Sequence, residues 1–180
     1  MRVAKELDAG AMFAKETRPI GPDETSDVVE RDLADIGARL LVAIVDRIAA
    51  GTAREDEQDA SQATYADKLT KEEGRIDWST PSAAIHNQVR GLYPWPHAYT
   101  FLKGERLIVW RTTVGASHEG LLHDAPPGAI LAVERDAIHV ATGDGEIAIA
   151  LLQSEGGRPM PVRDFLAGRP LKTGERFDGP

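Results

Sequence analysis

Lys68 and Lys71, three residues apart in a polar stretch, and the arginines Arg75, Arg90, Arg106 and Arg111 beyond them are the side chains whose type and spacing point most directly to chemistry. An ammonium meets a phosphate as a point charge and a guanidinium meets it through a planar fork, so a cluster of both can hold a nucleic-acid backbone. A plainer reading stands beside this one. The lysines balance Glu72 and Glu73 equally well in a solvated linker, and arginines scattered over a surface simply pair with Asp77 and Glu105. The phosphate reading is preferred for Arg90 and stays open for the other arginines.

The remaining candidates are weaker. Trp95 stands between Pro94 and Pro96 and could stack on a nucleotide, as aromatics do in single-strand binders. A core anchor in a rigid turn is the preferred reading, and Trp78 and Trp110 are read as structural too. The histidines His86, His97, His118, His123 and His139 show no pairing with carboxylates at metal-ligand spacing, so no metal is expected. The chain has no cysteine, which excludes disulfides, thiolate metal sites and a thiol nucleophile. Gly143-Asp144-Gly145 reads as a hairpin turn and not a phosphate loop, since no helix follows it. Taken alone, Asp8 in Asp-Ala-Gly is an ordinary acidic turn residue.

Composition bounds the class. At 180 residues with 42% hydrophobic and 28% charged side chains, the chain is predicted to fold as one domain or one and a half. A net charge of -8 argues against nucleic acid, but its distribution weakens that objection. Residues 1–74 carry 10 Lys and Arg against 17 Asp and Glu, whereas residues 75–180 carry 11 against 12, nine of the 11 being Arg. Such a near-neutral segment binds phosphate only where its cations cluster in space. Charged residues Arg2, Lys5, Glu6 and Asp8 follow Met1, and no apolar run approaches a membrane span, so the chain is read as cytoplasmic with no membrane partner.

The elements that must position these residues follow from periodicity. Residues 11–20 read as extended, 21–24 as a turn, and Thr25 or Ser26 as a helix cap. Val29, Leu33, Ile36, Leu40, Ile44 and Ile48 recur at spacings of three and four, predicting a helix over 26–50 that ends near Gly51. So wide a stripe needs a cover, and the helix is expected to expose part of its apolar face and to offer a surface for self-association. Residues 52–71 read as a solvated linker. Ser79 and Thr80 before Pro81 read as a helix start, with Ile85, Val89 and Leu92 as its apolar edge. Short strands are predicted over 98–102, 106–113, 129–134, 137–142 and 146–152, and helical turns over 161–167. Five strands with tight turns suggest a small barrel or sandwich, an OB-type barrel being a common solution.

The string 64–78, Thr-Tyr-Ala-Asp-Lys-Leu-Thr-Lys-Glu-Glu-Gly-Arg-Ile-Asp-Trp, is similar to the linker and second-domain entry of methionyl-tRNA formyltransferases. Agreement continues in order and spacing at Arg90-Gly91-Leu92-Tyr93-Pro94-Trp95-Pro96, at Thr142-Gly143-Asp144-Gly145, and at Phe165-Leu166-Ala167-Gly168 with Gly174 and Phe177. Upstream, Leu7-Asp8-Ala9-Gly10 with Met12 resembles the family's LDTG-type motif. Related formyltransferases acting on amino sugars or folate share the second domain, but Tyr65-Ala66 with Lys68 and Lys71 looks like the tRNA-acting branch.

The resemblance implies an α+β chain. Residues 1–51 would be the remnant of a Rossmann-like formyl-donor domain, 52–73 a linker, and 74–180 an OB-like β-barrel C-terminal domain that binds tRNA. It implies formyl transfer from 10-formyltetrahydrofolate to the amino group of methionyl initiator tRNA, with Asp8 as the catalytic carboxylate. Lys68, Lys71, Arg75 and Arg90 would be the tRNA contacts. The family's catalytic Asn and His lie upstream of the LDTG-type motif and have no counterpart here. The chain alone is therefore predicted to be inactive and to bind no cofactor, the folate belonging to the full-length enzyme. The rival expectations are a noncatalytic RNA-binding module and a formyltransferase acting on an amino sugar.

Overall fold

The computed structural model describes residues 1–115 and 125–178, and these divide into two units, Met1–Lys68 and Leu69–Pro180. In the first unit the predicted apolar stripe winds into helix α1, Ser26–Ala49. Thr25 is its N-cap, but the Thr25 hydroxyl donates to Asp27 at 2.5 Å and caps no backbone group. The helix stops at Gly51, whose φ of 69° is the left-handed conformation in which glycine pays no Cβ penalty. Residues 11–20 form no strand. Their one β-bridge joins Met12 and Asp56, and Arg18 pairs with Glu24 in the turn before α1 and with Asp32 on α1, each at 2.6 Å. Ile44 is the one buried residue of α1, while Leu41, Val42 and Val45 are 64%, 63% and 54% exposed. No helix among the described residues is long and apolar enough to cross a membrane.

The second unit is a mixed α and β body. Strands β1 (Ala98–Leu102), β2 (Glu105–Val114), β3 (Ile130–Val133), β4 (Ile138–Ala141), β5 (Glu146–Ser154) and β6 (Met160–Pro161) form one antiparallel sheet. Its order is β1-β2-β5-β4-β3, with the two-residue β6 beside β5, a strand the sequence pattern did not signal. Alternation sets the inner face: Leu107 and Val109 on β2, Ile138 and Val140 on β4, and Ile147, Ile149 and Leu152 on β5 are buried. Helix α2 (Ser82–Gly91) adds Ile85 and Val89 to this core, and α3 (Val162–Gly168) adds Val162 and Phe165.

The expected closed barrel is not formed, because edges β1 and β3 do not pair with each other. The chain near its C-terminus lies on both edges instead. Gly174 N–H donates to Ile130 O and Phe177 N–H to Gly128 O, each at 2.9 Å, while Asp178 N–H donates to Phe101 O at 2.8 Å. Trp78 fastens this segment from within: its indole N–H donates to Thr100 Oγ1 at 3.0 Å and its ring stacks on Phe177 with centroids 5.6 Å apart.

Helix α2 begins at Ser82, and its first free N–H is satisfied from 62 residues away, where Asp144 Oδ1 accepts from Ser82 N at 2.7 Å. Ser79, expected to cap this helix, donates to Asp77 instead, through its N–H at 2.9 Å and its hydroxyl at 2.6 Å. The β4–β5 turn thus docks on the helix start, with Gly143 N–H donating to Thr80 O at 3.0 Å. After α2 the chain turns through Tyr93-Pro94-Trp95-Pro96-His97, both X-Pro bonds being cis. His97 takes a φ of 68°, unusual for a non-glycine residue, and is held by an N–H bond to Leu92 O at 3.0 Å and by its ring, 4.3 Å from that of Trp110.

Two outcomes follow from this packing. A Cβ on Gly143 would lie 1.9 Å from Ser79 O, a backbone atom that cannot yield cheaply. Gly143→Ala is expected to cost at least about 1–3 kcal/mol, the range for overpacking, read as a lower urea midpoint at unchanged slope. Burial, aided by the Arg106 guanidinium, holds the His97 imidazole below its ordinary value of 6.5. The unfolded chain therefore takes up a proton near pH 6.5 that the folded chain refuses, so this contribution is complete above that pH and is lost as pH falls through the folded value. Melting temperatures between pH 7.5 and 5.5 are expected to fall less steeply for His97→Asn, which tolerates the same backbone conformation. An identical pH slope in the variant would assign the effect elsewhere.

Candidate nucleic-acid interface

The cations singled out from the sequence are placed as follows. Lys68 and Lys71 are exposed and make no ion pair among the described residues. Of the two balancing partners proposed for them, Glu73 is engaged locally, since its Oε2 accepts from Thr70 N at 2.5 Å and from the Thr70 hydroxyl at 3.0 Å. Lys71 precedes a 3-10 turn, Glu72–Gly74, and leads to Arg75, whose guanidinium lies 5.6 Å from the centre of the Phe101 ring. The Gln88 amide on α2 donates to Glu73 O at 2.8 Å and to Arg75 O at 3.2 Å. That bond fixes α2 against the segment carrying Lys71 and Arg75. Arg90, in the last turn of α2, donates from Nε to Asn87 Oδ1 at 2.8 Å.

The carboxylates offered as ordinary partners for the arginines are held by other groups. Asp77 accepts two bonds from Ser79, which hold its carboxyl below the usual range. Glu105 pairs with Arg169. Arg111 is exposed on β2, next to the bulge where the β2–β5 register shifts.

Sequence reasoning named Arg106 among the cations but missed the aromatic side chains grouped around it. On the outward side of β1 and β2 stand Tyr99, Phe101, Arg106 and Trp110, all half-buried. The Arg106 guanidinium sits 4.1 Å from the centre of the Tyr99 ring, and its Nε is buried without a hydrogen-bond partner among the described residues. Tyr99 and Phe101 meet edge to face at 5.8 Å, and Tyr93 meets Trp110 the same way at 5.6 Å. The available signal was the alternation of positions 99 and 101 and of 106, 108 and 110, which puts each set on one strand face. Trp95 departs from expectation: it is 52% exposed and anchors no core, while its neighbour Pro96 is the buried residue of this turn. Trp78, 2% exposed, is the structural tryptophan expected.

Asp8 lies in the first unit with a φ of 53° and an exposed side chain. Its loop is pinned by the Gln58 amide, which donates to Asp8 O and to Gly10 O, each at 2.7 Å. Gly10 marks a close approach, since a Cβ there would fall 1.8 Å from Arg2 O. Among the histidines, His86 Nδ1 lies 3.0 Å from Thr112 Oγ1 and His139 Nδ1 lies 3.3 Å from Glu146 Oε1, while His118 and His123 lie outside the described residues. No group of His, Asp and Glu among the described residues could hold a metal ion.

The chain matches a protein-family model, the formyl transferase C-terminal domain, over residues 68–170. Curated relatives include a protein from Citrifermentans bemidjiense named methionyl-tRNA formyltransferase, 44% identical over 93% of this chain and 51% of its own length. Another of that name, from Solibacter usitatus, is 40% identical over 98% of this chain and 55% of its own length. The chain spans about half the length of the curated relatives it matches. Among solved structures, HypX from Aquifex aeolicus shares the fold with a TM-score of 0.67 at 18% identity, over 95% of this chain and 30% of that one. An N-formyltransferase from Helicobacter canadensis aligns with a TM-score of 0.63 at 16% identity, over 82% of this chain and 52% of that one. Matched over more than half of its residues, the chain belongs to the formyl transferase C-terminal domain family.

Proposed function

We propose that this chain serves the formylation of methionyl initiator tRNA in the cytoplasm and supplies the surface that holds the tRNA. The observation that carries the reading is 40–44% identity, over nearly the whole chain, to proteins named methionyl-tRNA formyltransferase. The H. canadensis enzyme, solved with folinic acid and dTDP-3-aminofucose, shares 16% identity, a likeness of fold that leaves the amino-sugar acceptor as the rival reading. In this reading residues 1–51 are part of a Rossmann-like formyl-donor domain, 52–73 are a linker, and 74–180 are an OB-like tRNA-binding domain. The C-terminal segment lying on both β1 and β3 supports a barrel-like body.

Lys68, Lys71, Arg75 and Arg90 are the phosphate contacts in this reading. The lysines supply point charges and the arginines planar forks. Asp8 is the carboxylate that sets the protonation of the attacking amine, which must be neutral to react. The developing oxyanion also needs a donor, and the first unit contains no histidine to orient or protonate anything. 10-Formyltetrahydrofolate supplies the one-carbon unit in that reaction. The residues described around Asp8 do not build a folate pocket, Leu7 beside it being 93% exposed. Turnover by this polypeptide alone is therefore not expected. The exposed apolar face of α1 is open to self-association or to cover by further chain.

Titration of initiator tRNA at several salt concentrations, beside a formylation assay, tests the reading. The expected result is salt-dependent binding without turnover, and a plot of log affinity against log salt whose slope falls by about 2 when Lys68 and Lys71 are both replaced by Ala. Absence of tRNA binding, or formyl transfer by the chain alone, would overturn it.

A further inference from the structure

The outward side of β1 and β2 combines features that neither a hydrophobic core nor phosphate contact explains. Trp95 is 52% exposed although an indole is among the costliest side chains to leave in water. Pro94 and Pro96 on either side lock their own φ angles, so the indole is presented on a stiff turn. The same turn ends at His97, whose ring lies 4.3 Å from Trp110. Arg106, on the same strand as Trp110, is close enough to depress the His97 imidazole and lies 4.1 Å from the Tyr99 ring centre. Arg106 is half-buried, and its Nε is buried without a hydrogen-bond partner among the described residues. None of the outward residues 99, 101, 106, 108 and 110 is a carboxylate.

We propose that this face is a stacking surface for unpaired nucleotides of an RNA, with Trp95 and the Arg106 guanidinium as the members that receive bases. An aromatic ring and a planar cation take the π-face of any base, and the positive charge of the face suits the phosphates between bases. A purely apolar helix would leave Arg106 without a counterpart, and an acidic peptide would leave the exposed indole unused. A paired duplex hides its base faces and could engage only the cations. The site uses other residues than the phosphate contacts Lys68, Lys71 and Arg90, and it deepens the tRNA reading by assigning unpaired nucleotides to a particular face, so it rests on that reading for its natural ligand.

The test uses the full chain with three probes: an unstructured decauridylate, an RNA duplex of ten base pairs, and initiator tRNA. Indole emission and labelled-probe anisotropy are followed at fixed salt. Decauridylate is expected to bind more tightly than the duplex and to quench emission. Trp95→Ala is expected to weaken decauridylate binding roughly ten-fold, the scale of one lost base stack, with most of the affinity recovered in Trp95→Phe. Arg106→Lys, which keeps the charge and loses the plane, is expected to weaken it as well. Because Trp95 is exposed, its variants should melt like the parent, which separates a binding defect from unfolding. Equal binding of duplex and single strand, or unchanged decauridylate affinity in Trp95→Ala, overturns the proposal. If tRNA then still binds through Lys68 and Lys71, the functional reading stands without it; if only decauridylate binds and depends on Trp95, the stacking face stands and the tRNA reading falls.

Discussion

The contact on which the second unit depends is the seating of Trp78. An indole buried to 2% exposure must satisfy its N–H, and it does so on the hydroxyl of Thr100, itself fully buried. The other side of the ring stacks on Phe177, and Gly128 comes close enough that a Cβ there would lie 3.2 Å from the indole. One side chain thereby joins the entry of the unit, the edge strand β1, the approach to β3 and the C-terminal segment. Without it, the segment over 174–178 would keep its hydrogen bonds and the Lys103–Glu175 ion pair but lose the ring stack on Phe177, the apolar contact that draws the two sheet edges toward one core.

That arrangement explains why the cations and aromatics end up where they do. Ile76 N–H bonds Tyr99 O at 2.8 Å, a consequence of Trp78 holding residues 75–78 along β1. Arg75 is thus delivered beside Phe101, and Gly74 packs so closely on this strand that a Cβ would lie 2.3 Å from His97 O. The Gln88 amide then fastens α2 to the same stretch. Three local sequences, at 71–78, 85–97 and 98–110, meet because a core residue and a few backbone bonds leave them no other register.

How much of this was readable in advance depended on whether the signal was local. Helix α1 and strands β1, β2, β4 and β5 lay close to where periodicity of 3.6 and 2 put them, since each repeat is long enough to report its own face. The start of α2 was placed nearly correctly, but Ser79 and Thr80, read as its start, lie before the Pro81 N-cap, and the Ser82 N–H is satisfied by Asp144, 62 residues away. Strand β6, two residues long and containing a proline, carries no pattern at all. Strand number left barrel and sandwich open and the resemblance implied a barrel, yet closure is decided by what lies against the edges, here a segment with no strand pattern of its own. Trp95 was misread because a Pro-Trp-Pro turn looks like an anchor, and only three-dimensional packing decides which side of a turn faces the core. For the phosphate candidates, the sequence offered cations but could not say which acids were already engaged.

That last point resolves the apparent conflict between a net charge of -8 and a polyanionic partner. Summed charge governs solubility and long-range attraction, but a local surface is governed by the carboxylates that remain unpaired beside it. In the second unit Asp144 is turned onto the N-terminus of α2, Asp77 onto Ser79, Glu105 onto Arg169 and Glu175 onto Lys103, with the Glu175 carboxyl held below its usual range by that ammonium. Glu146 is buried beside His139. Each of these acids is ion-paired or hydrogen-bonded within the fold, which ties its charge to a fixed partner. Meanwhile 17 of the 29 acidic residues fall in residues 1–74, mostly within the first unit. The excess negative charge is thus concentrated away in sequence from the segment whose guanidinium groups and rings are the ones suited to an RNA strand.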